Sequence, residues 1–302
     1  MKYEGRLKNS LWHLKSSLWL LKNMGIMDIL FRIGMNICLF AKEEIDSNSL
    51  GLLSLKDERA KHILKILHKG VGDDFSAGII GGMAGKAVIS DISDSAISFE
   101  FKALSDGKEL YPLDLIIGFP RPIQLKRLFR DVASLGVRSV HLTGTELGEK
   151  SYLQSNVIKD GSAYNMLLDG SVQAASTHVP ELFVHNCLKD CLDSMSDESI
   201  KIALDNINPE TSLLKFLSDQ TFEKQPVSFT KHAEDFTKQP VSFTKHAVRA
   251  AIGSERGWSE RERRMLEEAG YIRLGMGKRI LRTETASTVA TSLILGAMGY
   301  LD

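Results

Sequence analysis

Two short segments near the C-terminus bring together residue types that can do chemistry. The first reads Ile252-Gly253-Ser254-Glu255-Arg256-Gly257-Trp258-Ser259. Its glycines fall between an apolar run and a helical pattern, where backbone N–H groups can approach a ligand, often an anion at the helix N-terminus. A tight turn that simply needs glycine is equally compatible with these residues. The segment has neither the Gly-Lys-Ser/Thr of a Walker loop nor a G-x-G-x-x-G, so these residues alone name no nucleotide. Ser259 with Glu262 has capping-box spacing and marks where the helix begins. The second segment is Met276-Gly277-Lys278-Arg279-Ile280-Leu281-Arg282-Thr283-Glu284-Thr285-Ala286. Here a glycine loop enters a helix that Thr283 is expected to cap. Glu284 would sit in the first turn, where the helix dipole favours an acid.

Several elements must position those segments. Residues 113–119 form an apolar run interrupted only by Asp114, as expected of a strand buried on both faces. Pro120 and Pro122 flank the entry to a helix that Gly136 ends after Leu135. Further strands are expected at 138–143, 182–185, 201–204, 247–252 and 271–274, with helices at 161–175, 259–269 and 284–298. This alternation predicts an α/β domain with a largely parallel sheet over 106–302. Upstream, 35–105 reads as mostly β, with strands at 75–80, 86–92 and 96–104. One helix at 57–68 carries Ala60, Ile63, Leu64 and Leu67 on a single face. A small barrel closes such a set without open edges. Residues 222–233 recur as 236–247, differing only at Glu223 against Thr237. Two copies are too few for a solenoid, so 222–247 reads as an in-frame duplication in a surface loop.

Composition narrows the class. The chain has 302 residues, 38 basic against 38 acidic, and is 43% hydrophobic. That balance excludes disordered and fibrous classes and allows a large core. Three cysteines are too few for a disulfide framework and fit a reducing, cytoplasmic compartment. No stretch is apolar enough to span a bilayer, since Lys15, Lys22, Asp28 and Arg32 interrupt the nearest candidate. Residues 1–34 read as an N-terminal extension from an early start, with a membrane-surface helix as the other reading. No metal is expected: His178, His185, Cys187 and Cys191 come without a CxxC pair.

The two C-terminal segments, in this order, resemble the ribosomal RNA uracil-N3 methyltransferases that modify small-subunit (16S) RNA, a family within the SPOUT superfamily. The family's first loop commonly reads Gly-Pro-Glu-Gly-Gly-Phe/Trp-Ser. Here Gly253, Glu255, Gly257, Trp258 and Ser259 match, and Ser254 and Arg256 depart. Its Leu-Gly-x-Arg-Ile-Leu-Arg-Thr-Glu-Thr-Ala is matched from Gly277 to Ala286, with Met276 for the leucine. His62 to Leu67 followed by Gly70-Val71-Gly72-Asp73 is similar to the family's N-terminal PUA-like barrel. The middle departs: Thr143-Gly144-Thr145-Glu146 stands where the family usually has Ser-Glu-Arg-Ser. In all, the likeness covers about residues 35–302 outside the duplication.

The resemblance implies a PUA-like RNA-binding β-barrel over 35–105 and a SPOUT methyltransferase domain with a deep trefoil knot over 106–302. Knots are nearly absent from folds, so the strand pattern alone would suggest an unknotted sheet. It further implies S-adenosyl-L-methionine held by Gly253, Glu255, Gly257, Met276, Gly277, Ile280 and Leu281, and a homodimer. The reaction would join the methyl group to N3 of a uracil in 16S ribosomal RNA of the small subunit, with Arg282 and Glu284 as catalytic candidates. RNA contacts are expected from Lys56, Arg59, Lys61 and Lys65 on one helix and from Arg121, Lys126 and Arg127 on another. Two other readings share these residues: an RNA-binding assembly factor whose site has drifted, and a SPOUT enzyme acting on another nucleotide. Binding of S-adenosylmethionine discriminates the first.

Overall fold

The apolar run at 113–119 becomes a strand whose Leu113, Leu115, Ile116 and Ile117 have no solvent exposure. In the computed structural model, which describes residues 36–195, 199–219 and 247–301, it forms β6 (Tyr111–Gly118) of a seven-stranded sheet. The expected extension 1–34 lies outside the described residues, as does the duplication 222–247 apart from Ala247. The chain divides into two compact units. The first runs through Glu109 and adds Phe129–Gly136 and Gln154–Val179; the second holds Leu110–Leu128, Val137–Leu153 and everything from Pro180 onward.

In the first unit, β1 (Cys38–Phe40), β2 (Leu50–Ser54), β3 (Asp74–Ile79), β4 (Ala84–Ile92) and β5 (Ala96–Ser105) form a curled mixed sheet. Its order is β1-β3-β4-β5-β2. β1 and β3 pair parallel, and the other pairs are antiparallel. Phe40, Phe75, Phe99 and Phe101 fill its core, with the Phe40 and Phe99 rings 4.7 Å apart. β2 has no counterpart among the expected strands. Gly51 interrupts it because a Cβ there would fall 2.1 Å from the Phe99 ring. The helix expected at 57–68 starts after Asp57, whose side chain accepts from the Arg59 N–H. It runs as α1 (Glu58–Lys61) and then widens into a π-turn at His62–Ile66.

The remaining α-helices of more than about one turn among the described residues are α2 (Pro122–Ser134), α3 (Ser162–Gln173), α4 (Leu188–Asp193), α5 (Leu213–Asp219), α6 (Glu260–Glu268) and α7 (Thr283–Ala297). The second unit's sheet adds β7 (Val137–Thr143), β8 (Glu181–His185), β9 (Ser199–Leu204), β10 (Thr211–Ser212), β11 (Ala247–Ile252) and β12 (Ile272–Gly275). Its order is β10-β12-β9-β11-β6-β7-β8, and every pair is parallel. On one face Trp258, without exposure, packs among Ile116, Cys191, Ala203, Ala251, Leu266 and Tyr271. From β6 the chain proceeds to β7 on one side; from β11 it proceeds to β12 on the other. Ligands of open α/β sheets bind in the crevice that such a reversal leaves at the carboxyl ends of the strands.

Candidate active site at the carboxyl edge of the parallel sheet

The crevice between β6 and β11 is built by backbone in direct contact. At the end of β6, a Cβ on Gly118 would stand 2.3 Å from the Ser254 nitrogen and 2.9 Å from the Thr145 Cγ2. Only glycine permits the β6 end, the β7 loop and the β11 loop to meet so closely. The β11 loop then folds on itself: Gly257 N–H donates to Ser254 O at 2.8 Å, and Gly257 has φ +74°. A Cβ on Gly253 would meet the Gly257 backbone at 2.9 Å. Thr145 donates to the Ser254 hydroxyl at 3.0 Å, which donates on to Gly257 O at 3.3 Å.

Glu262 fastens the same three-way junction from below. The expected capping box is present: Ser259 Oγ accepts from Glu262 N–H at 3.1 Å, and Glu262 Oε2 accepts from Ser259 N–H at 2.8 Å. The second oxygen does further work. Glu262 Oε1 accepts from the Glu146 N–H at 2.9 Å, with only 1% of the residue exposed. The Glu146 carboxylate in turn accepts from Ser259 Oγ and lies 3.3 Å from Arg261. The 145–146 tie and this second use of Glu262 are absent from the sequence reading. A loop reading Thr143-Gly144-Thr145-Glu146 after a strand was the available signal.

The second glycine segment reaches the junction through α7. Thr283 Oγ1 donates to Gly253 O at 3.2 Å, so the two segments expected to act together do meet. This corrects the expected cap. Thr283 is the first helical residue, its hydroxyl proton is committed to Gly253, and Arg282 occupies the N-cap with φ −69° and ψ 153°. Met276, Gly277, Ile280 and Leu281 form the loop between β12 and α7; Gly277 has φ +92° and Ile280 is 82% exposed. At both Gly257 and Gly277 the space where a Cβ would stand is open, so a ligand can approach the bare backbone there. The Arg282 side chain is 77% exposed, whereas Glu284 is buried, with its Oε1 4.0 Å from Arg282 Nη1. An exposed cation thus stands beside a buried carboxylate at a helix N-terminus.

Glu255 does not stand alone. Its carboxylate accepts from Arg121 Nε at 3.1 Å, bridging the β6 and β11 loops across exposed surface. Arg121 lies just before α2, outside the helix it was expected to share, whereas Lys126 and Arg127 lie within it. Of the four basic residues expected to touch RNA in the first unit, Lys56 and Lys65 are exposed. Lys61 pairs with Glu58. Arg59 is committed to the fold: its guanidinium binds Glu44 and Asp57, donates to Leu39 O at 2.8 Å, and lies 5.1 Å over the Phe40 ring. Those bonds leave it no fork for a phosphate, which corrects that expectation.

A family model described as an RNA methyltransferase domain matches residues 108–295. The chain is 36% identical over 262 residues to the ribosomal RNA small subunit methyltransferase E of Treponema pallidum, covering 86% of this chain and 91% of that protein. It is 29% identical to the ribosomal RNA small subunit methyltransferase E 1 of Borreliella burgdorferi, over 86% of this chain and 97% of that one. Among solved structures, a ribosomal RNA small subunit methyltransferase E from Neisseria gonorrhoeae bound to S-adenosyl methionine shares the fold. Its TM-score is 0.65 at 20% identity, over 87% of this chain and 97% of that one.

Proposed function

The chain belongs to the RNA methyltransferase family, and from that premise we propose that it methylates 16S ribosomal RNA of the small subunit at N3 of one uridine, with S-adenosyl-L-methionine as donor. The observation that carries the site assignment is the meeting of the Gly253–Ser259 and Met276–Arg282 segments through Thr283 and Gly253 at the sheet's reversal point. When bound, the cofactor supplies an electrophilic methyl group. Backbone at Gly253, Gly257, Met276, Gly277 and Leu281 would hold it, with Glu255 and Ile280 alongside. The positive φ and open Cβ positions of Gly257 and Gly277 fit such a ligand.

Uracil N3 carries a proton that must leave before or during attack. Arg282, exposed on the N-cap, would stabilise the N3/O4-delocalised anion, and Glu284 would orient that guanidinium or take the proton. Positioning of the two reactants would supply much of the rate. Lys56, Lys61, Lys65, Arg121, Lys126 and Arg127 would contact phosphate, and the target base would leave its stack to reach the cleft. We read residues 35–105 as the PUA-like barrel and 106–302 as the trefoil-knotted SPOUT domain, on the strength of the motifs at 62–73 and 277–286. The exposed Ile280, Val289 and Leu293 near α7 favour a homodimer through that face. A cytoplasmic location follows from the substrate.

The test is twofold. Arg282→Ala should lower methyl transfer to small-subunit RNA while calorimetric affinity for S-adenosylmethionine stays within about twofold; equal loss of both removes Arg282 from catalysis. Mass mapping of 16S RNA from a deletion strain should show one uridine without its N3 methyl. A retained methyl there rejects the nucleotide assignment.

A further inference from the structure

We propose that His141, His185 and Cys191 form a site for one thiophilic divalent cation of the zinc class, on the face of the parallel sheet covered by α4. The sequence reading expected no metal and weighed a different set, in which His178 took part. His178 belongs to the first unit, with its Nδ1 3.2 Å from Thr177 Oγ1. Its place is taken by a residue 37 positions before it, visible only once β7 and β8 are paired.

The topology makes the cluster. His141 stands opposite Phe183 and Thr143 opposite His185, so the two histidines are diagonal neighbours on adjacent strands. Cys191 is buried on α4, which packs onto those strands. One ligand atom from each of the three lies within 4.8 Å of the others, and His141 Nδ1 is 3.0 Å from His185 Nε2. A tetrahedral zinc shell with N and S ligands at about 2.0 and 2.3 Å places its ligand atoms roughly 3.3–3.6 Å apart. The histidine edge of 3.0 Å falls slightly short of that spacing, and no edge of the triangle exceeds 4.8 Å. Cys187, exposed at the N-cap of α4, or a water would complete the shell.

Hydrogen bonding fixes which histidine nitrogen is available. Ser139 Oγ donates to Asp114 Oδ1 at 2.7 Å and so has spent its proton. The contact of 3.1 Å between Ser139 Oγ and His141 Nε2 therefore makes His141 Nε2 the donor. That leaves the lone pair on Nδ1, which faces His185 Nε2 at 3.0 Å. Asp114 is held in turn by a two-point contact from Arg138 at 2.9 and 2.6 Å. A metal-bound histidine ordinarily passes its other N–H to such an anchored acceptor. Phe183 stacks on the His141 ring at 4.5 Å and keeps its plane. The charges of Asp114 and Asp190 favour a cation here, and those of Arg138 and Arg249 oppose it. Without an ion, the same atoms make a neutral His185-to-His141 hydrogen bond, which is the competing arrangement.

The two are separated by titrating the full-length protein, first stripped with a chelator, with zinc and with cobalt(II). The site predicts about one zinc per chain retained against a weak chelator, and a cobalt spectrum with a thiolate-to-metal charge-transfer band. His185→Gln, a half-buried and structurally mild change, should weaken affinity by about tenfold or more while the far-UV circular dichroism is unchanged. Cys191→Ser should abolish the charge-transfer band. Cys187→Ser reports the fourth ligand: a weakened site assigns it to Cys187, an unchanged one to water. Zinc retained equally by His185→Gln, a cobalt spectrum lacking the thiolate band, or no stoichiometric binding by the parent protein would overturn the proposal.

Discussion

Removing Glu262 should be costly, because one carboxylate satisfies two backbone donors from different loops. Its oxygens accept from Ser259 N–H at 2.8 Å and Glu146 N–H at 2.9 Å, and the group is all but fully buried. Hydrogen bonds to a charged acceptor contribute about 1.5–3 kcal/mol each. Glu262→Ala should therefore destabilise by about 3–5 kcal/mol, a fall in melting temperature of roughly 6–12 °C for a chain of this size. Glu262→Gln keeps one acceptor and presents an amide N–H to the other donor, so about half the loss is expected. Glu260→Ala, two positions earlier and exposed, is the control and should stay within about 0.5 kcal/mol. Glu262→Ala also unstitches the 145–146 loop from the β11 loop, so affinity for S-adenosylmethionine should fall by about tenfold in calorimetry. A Glu262→Ala melting temperature within about 2 °C of the parent would refute the reasoning, since it would mean neither donor depends on this carboxylate.

Other outcomes follow from the same contacts. Gly118→Ala puts a methyl group against the Ser254 backbone, so it should destabilise by about 1–3 kcal/mol and abolish cofactor binding; an unchanged titration would show the junction is not part of the site. Burial pushes the Cys38 and Cys191 thiols up to about 12, while Cys187 is exposed, so a thiol reagent at pH 8 should find one fast cysteine in the native chain and three after denaturation. Burial alone would raise the Asp114 carboxyl, but its bonds to Arg138 and Ser139 outweigh it and hold the group below its ordinary range. Its stabilisation is present above the ordinary carboxylate pKa and lost as pH falls through the lower folded value, so the melting-temperature gap between parent and Asp114→Asn should close as pH drops below about 4.

Regular elements of the second unit were legible because burial writes them plainly. A strand enclosed on both faces is largely apolar, and 113–119, interrupted only by Asp114, could be little else; Ser259 with Glu262 announced α6 by chemistry that acts within four residues. β2 was not legible, since Gly51 breaks its pattern and owes its identity to Phe99, nearly fifty residues away. α5 begins directly from the two-residue β10 and has too little periodicity to stand out. The glycine segments were readable as a pair only through their resemblance to known motifs; the Thr283–Gly253 bond that joins them is a tertiary fact. Basic residues on α1 looked like a phosphate-binding stripe, and Arg59 misled for a physical reason. A guanidinium with two acids nearby in space forms a structural clasp, and only one of those acids, Asp57, is its neighbour in sequence.

The insertion of β11 between β6 and β9 also sets a clock. During synthesis β6 and β7 can pair early, but the strand that belongs on the other side of β6 is made about 130 residues later. At about 5–20 residues per second, the most apolar strand of the sheet waits with one edge unpaired for on the order of ten seconds. Both glycine segments lie beyond that strand, so a nascent chain has a sheet to protect well before it has any site to use. Low temperature or a slowed ribosome lengthens that interval, and chaperone dependence during expression should rise with it.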